Sequence, residues 1–94
     1  MTTVTLLIFS GRRDPEWELT VDEVAALAPS LQDAVPAPES STLGYRGFLV
    51  QSSDPGMPPK VVVRHSPELE RLLLRTAEGR LPPEIIRAAA EAIK

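Results

Sequence analysis

Two short runs hold the side chains with the most chemistry to offer. The first is Ser10-Gly11-Arg12-Arg13-Asp14-Pro15-Glu16-Trp17, directly after an apolar stretch. A glycine, two arginines and an aspartate in one turn can hold an anion between amide donors and guanidinium forks. Trp17, the only tryptophan, stands between two glutamates and serves either as a surface anchor for a partner or as a plug beneath the loop. In the plainer reading, Asp14-Pro15 shapes a turn, Gly11 supplies a positive φ and the arginines are solvated. The run matches neither a Walker loop nor a dinucleotide fingerprint, which need more glycines at fixed spacings.

The second set is Tyr45-Arg46 and Arg64-His65. His65 is the only histidine, the residue type best suited to acid–base work near neutrality. It directly precedes Ser66-Pro67, however, where a histidine commonly just ends a strand. Ser10, Ser40, Ser41, Ser52 and Ser53 fall in loops, and none has a neighbour that suggests an activating base. Glu68, Glu70 and Glu78 read as the solvated face of a helix.

Composition narrows the chemistry further. There are no cysteines and one histidine, which excludes disulfides, thiolate chemistry and a multi-histidine metal site. Eight arginines against two lysines would suit phosphate contacts. They are dispersed, though, in a chain of net charge −3 with four aromatic residues, so neither a nucleic-acid surface nor a stacking platform is expected. The apolar run Val4–Phe9 has no basic residue before it and is too short to span a bilayer, and no long apolar stretch follows Arg12-Arg13. A cytoplasmic protein without a membrane partner is expected.

The elements that must position these residues follow from periodicity. Leu, Ile, Val and Phe make up 26 of 94 residues, above the roughly one-fifth typical of disordered chains, so a single globular domain over 1–94 is expected. Val4–Phe9 reads as a first strand with both faces buried, Val4, Leu6 and Ile8 pointing one way. Thr20-Val21-Asp22-Glu23 has capping-box spacing, with Leu19 and Val24 placed for a hydrophobic staple. The helix it opens should reach about Ala28, where Pro29 disfavours helical angles in the residue before it. One further turn through Ser30–Ala34 can follow.

Val35–Ser41 is an extended proline-containing connection. Leu43–Gln51 reads as a second strand, with Phe48 and Val50 on one face and Tyr45, Gly47 and Leu49 on the other. Ser52–Pro59 is a hairpin loop, and Val61–Val63 a third strand. Ser66-Pro67-Glu68 opens a helix with a hydroxyl cap and a buried stripe of Leu69, Leu72 and Leu73; Gly79 stops it. Leu81-Pro82-Pro83-Glu84 opens the last helix, with Ile85, Ala89 and Ile93 on one face.

The expected fold is therefore α+β, in the order β-α-β-β-α-α. A mainly antiparallel three-stranded sheet of order 1-3-2, half-ferredoxin-like, carries its helices on one face. The first and second strands would be joined by a right-handed crossover, with the valine-rich third strand in the centre. This order puts Arg12, Arg13, Asp14 and Trp17 near Asp54, Met57 and Lys60, and Tyr45 and Arg46 near Arg64 and His65. It also leaves the first or second strand as an open edge. Leu74, Ile85, Ile86 and Ile93 spread over more helix face than three strands can cover.

The expected function is a non-enzymatic accessory protein. It would dock to a protein partner, or form a homodimer, through a sheet edge, the Arg12–Trp17 loop or the C-terminal helices. The alternative is a domain that binds a small molecule or anion, catalytic or not, through Arg12, Arg13 and Lys60. The candidate binding residues are Arg12, Arg13, Asp14, Trp17, Tyr45, Arg46, Lys60 and His65, with no catalytic residue, metal or cofactor assigned.

Overall fold

Seven elements are present in a computed structural model that describes residues 1–9, 13–38 and 44–93. They are strands β1 (Thr2–Leu7) and β2 (Glu16–Glu18), helix α1 (Val21–Gln32), strands β3 (Gly47–Ser52) and β4 (Lys60–Val63), and helices α2 (Pro67–Arg75) and α3 (Pro83–Ala92). The fold is α+β, with one four-stranded sheet in the order β2-β1-β3-β4. Every neighbouring pair is antiparallel.

The expected 1-3-2 order is incorrect, and β2 is the reason. Its three residues alternate exposed, buried, exposed around Trp17, a period-two pattern that the preceding turn residues mask. β2 reverses the chain once more before α1, so α1 starts beside the beginning of β1 and carries the chain past β1, from β2 on one side to β3 on the other. β3 then runs antiparallel to β1, with Leu7 opposite Gly47 and Thr2 opposite Ser52. A crossover does form, but it joins β2 to β3, which run parallel to each other with β1 between them. The interior strands are β1 and β3, the first and second strands of the sequence expectation, and neither is an open edge. The edges are β2, blunted by Glu16 and Glu18, and β4, whose Val62 carbonyl accepts from the Ala37 amide at 2.9 Å. Val61 and Val63 belong to the core cluster, and Val62 is buried as well, despite the edge position of β4.

One face of the sheet carries the core. Val4, Leu6, Phe48 and Val50 are wholly buried, and Leu27, Leu31, Leu69, Leu73, Leu74, Ala89 and Ile93 from the three helices share their cluster. The capping box forms as expected: Thr20 Oγ1 accepts from the Glu23 amide at 3.2 Å and Glu23 Oε1 from the Thr20 amide at 2.9 Å. α1 does not stop at Ala28. It continues through Pro29 to Gln32, because Leu27 and Leu31, one turn apart on one face, are both buried, and continuing the helix keeps them there.

The apolar surplus on the last two helices is also used internally. Leu74 and Ile93 are buried, and Ile85 and Ile86 are half-buried against the core, so part of that apolar surplus is covered within the chain. Leu72, assigned to the buried stripe, is exposed instead. Among the described residues, no helix is long and apolar enough to cross a membrane.

Candidate functional site

The first sequence cluster does not assemble as expected. Arg12 lies outside the described residues. Arg13 is exposed and makes a 3.6 Å contact with Glu16. Lys60 is far from it: Lys60 opens β4, opposite Gln51 of β3, at the other edge of the sheet from β2. Asp14 is the anion of its own turn. Its Oδ1 accepts from the Ile8 and Phe9 amides at 3.0 and 2.7 Å, and its Oδ2 meets Arg46 Nη2 at 3.2 Å. Arg46 also donates to the Phe9 carbonyl at 2.7 Å. The Ile8 and Phe9 amides at this turn are thus occupied by the Asp14 side chain of the loop itself, and the guanidinium that joins them is Arg46, not Arg13.

Trp17 is a plug. It is 6% exposed, its indole Nε1 donates to Thr76 Oγ1 at 2.7 Å, and its ring meets Phe48 edge-on with centroids 6.5 Å apart. A buried indole needs such a hydrogen-bond partner, and the contact joins β2 to the end of α2.

The second cluster does assemble, around a residue that was expected to be solvated. Glu70 is fully buried, a correction to its place on the polar face of α2. Its Oε1 accepts from the Tyr45 hydroxyl at 2.6 Å and meets Arg64 Nη1 at 3.4 Å; its Oε2 accepts from the Ser66 amide at 3.1 Å. The sequence did hold the signal. At 100° per residue, Glu70 falls between Ala77 and Leu74 on the helix wheel, inside the arc completed by Leu69 and Leu73. All four apolar neighbours are buried. The expected Ser66 hydroxyl cap makes no hydrogen bond; the Glu70 carboxylate binds the Ser66 amide from one turn inside the helix.

Sheet geometry brings the partners of Glu70 together. Gly47 has φ +100°, and a Cβ there would lie 2.3 Å from the Val63 carbonyl oxygen. Only glycine lets the start of β3 pass this close to the end of β4, which sets Tyr45 beside Arg64. The Arg64 guanidinium carbon sits 4.6 Å from the Tyr45 ring centroid, a cation–π stack. The far edge of the Tyr45 ring packs on Phe48 at 6.0 Å. Burial, then the bond to Glu70, push the Tyr45 phenol far above its ordinary pKa, so it stays protonated and acts as a fixed donor. His65, next along the chain, is exposed and has φ +64°, the one positive value at a non-glycine among the described residues. Such a conformation is uncommon for a side chain with a Cβ.

These groups form one wall of an open groove of about 690 Å³ lined by Tyr45, Arg64, His65, Ala88, Glu91 and Ala92. The other wall is α3, whose alanines leave room between the helix and the β4–α2 turn. Arg46, expected here, is turned away to Asp14. A second groove of similar size runs between the end of α1 and the start of α2, past Val35, Pro67 and Leu72. No buried polar group is directed into it. Tyr45 and His65 were named from the sequence and line the same groove; Glu70, Glu91 and the two alanines were not named.

No protein-family model, curated protein or solved structure matches the chain. The geometry of the groove therefore carries the functional argument by itself.

Proposed function

We propose that the chain is a non-enzymatic binding domain for a small polar ligand, held in the groove between the β4–α2 turn and α3. The observation that carries this reading is the buried carboxylate of Glu70, which orients Tyr45 and Arg64 at the groove wall. Taking an ionised pair out of water costs several kcal/mol, and apolar replacements of equal volume are often as stable or more so. A carboxylate held there by three donors is better explained by what it orients than by stability. Arg64 keeps 28% of its side chain exposed, so part of a preorganised guanidinium faces the groove. The volume falls in the range of small-molecule sites.

This moves the small-ligand alternative from Arg12, Arg13 and Lys60 to Tyr45, Arg64, His65 and Glu91. It is preferred to a docked protein partner because the features that suggested one are used inside the chain: Trp17 is buried, the interior strands are paired and part of the surplus helix face is covered. A protonated, hydrogen-bonded Tyr45 favours binding over proton transfer.

A thermal-shift screen of small carboxylates, phosphates, amines and amino acids tests the reading. At least one class should raise the melting temperature of the wild type and of Arg75→Gln, an exposed control on α2, but not of Arg64→Gln. If no class stabilises the wild type, or if Arg64→Gln responds equally, the groove is not a ligand site.

A further inference from the structure

The two walls of the groove carry opposite charge, and this narrows the ligand. On one side stand Arg64 and the imidazole of His65; on the other, Glu91 projects from the last turn of α3. Glu91 makes no ion pair among the described residues, and the last turn of α3 has no basic residue. A carboxylate at the C-terminal end of a helix meets the negative end of the helix dipole, so Glu91 stands in an unfavourable field that a cation would relieve. A simple anion would gain from Arg64 but would also meet Glu91 and, behind Arg64, Glu70. Those three formal charges sum to one negative, so attraction to an anion is largely cancelled. A simple cation would leave the guanidinium of Arg64 unused.

We infer that the groove takes a small zwitterion, its carboxylate on Arg64 and its ammonium on Glu91, of the chemistry shared by free amino acids and short peptides. The inference rests on the groove being the ligand site. Ala88 and Ala92, on either side of Glu91 along α3, give the ligand backbone a smooth wall, and the stack of Arg64 on Tyr45 fixes the plane of the guanidinium for a two-pronged carboxylate contact. The exposed His65 adds a hydrogen-bonding group at the same end.

Nuclear magnetic resonance titration of the labelled protein with one ligand frame in several charge states is decisive. Glycylglycine should shift the amide signals of His65, Ala88 and Ala92, and N-acetyl-glycylglycine and glycylglycine amide should each bind about tenfold more weakly, as loss of one charge-assisted contact implies. Free glycine, run beside them, separates an amino-acid ligand from a peptide by which of the two binds more tightly. Glu91→Gln, an exposed substitution that leaves the fold intact, should bind the acetylated and free dipeptides alike, and Arg64→Lys should reduce the preference for the free carboxylate over the amide. If the acetylated anion binds the wild type as well as the zwitterion does, the inference falls and the ligand-site reading stands. If none of these probes shifts the groove signals, the zwitterion inference fails; the reading of the groove as a ligand site fails with it only if the thermal-shift screen is also negative.

Discussion

Glu70 concentrates the unusual chemistry of this chain in one carboxylate with three donors. Truncating it leaves the Tyr45 hydroxyl, the Ser66 amide and the Arg64 guanidinium short of a partner, and breaking a buried ion pair by removing one member is costly. Glu70→Ala should lower unfolding free energy by about 3 kcal/mol, measured by urea denaturation. Tyr45→Phe removes one donor to a charged acceptor and should cost about 2 kcal/mol while keeping the ring contacts with Phe48 and Arg64. A Glu70→Ala loss of only a few tenths of a kcal/mol would mean that the carboxylate is not held as described. Glycine has a comparable role at position 47. Gly47→Ala must relieve a 2.3 Å approach to the Val63 carbonyl in a left-handed backbone conformation. It should therefore cost at least about 2 kcal/mol and separate Tyr45 from Arg64. The same denaturation curves check the cost, and the Tyr45 ring signals the separation.

At the scale of elements, the helix ends connect distant parts of the chain. Glu23 completes the capping box of α1 and also meets Arg80 beyond α2 at 3.0 and 3.1 Å. The hydrogen bond from Arg80 is the main cause that holds the Glu23 carboxyl below its ordinary value of 4.5. A group depressed on folding stabilises above its unfolded pKa and loses that contribution as pH falls through its folded pKa. Glu23→Gln should therefore be less stable than the wild type by about 1 kcal/mol at pH 7, from the cap and a half-exposed pair. The gap should close below about pH 4; a gap unchanged at pH 3 would contradict the assignment. The sequence was clear wherever one local rule governed. Thr20 with Glu23 marked the start of α1, Pro67 and Pro83 marked the starts of α2 and α3, and Phe48 with Val50 marked the buried face of β3. It was opaque where tertiary contacts override local preference. Pro29 should have ended α1, but Leu27 and Leu31 bury on both sides of it. The three residues of β2 were too few for their period to stand out between a turn and a capping box.

At the scale of the whole molecule, that one short strand decides the topology. With β2 absent, the crossover through α1 would start from β1 and β4 would move to the centre; with it present, the crossover starts from β2, all neighbouring pairs are antiparallel and β1 and β3 are interior. Of the first sequence cluster, Asp14 is held by the Ile8 and Phe9 amides and by Arg46, and Trp17 is buried in the core. The cluster of Tyr45, Arg64 and His65, which the sequence did place together, gains a buried organiser in Glu70 and an opposing wall in α3. The spacing put Glu70 inside the apolar arc of α2, where its charge alone argued for solvent, whereas the α3 wall depends on how that helix packs against α2 and has no signal in spacing. In the proposed function, Glu70 organises Arg64 and Tyr45 for a ligand. That role is tested most directly by titrating glycylglycine into labelled wild type and into Glu70→Gln, which keeps the shape of the side chain, and comparing the amide shifts residue by residue. Saturable shifts are expected at His65, Ala88 and Ala92 in the wild type, with binding weakened about tenfold or more in a Glu70→Gln protein that remains folded. Equal binding by the two proteins, or wild-type shifts confined to the groove between α1 and α2, would contradict that role.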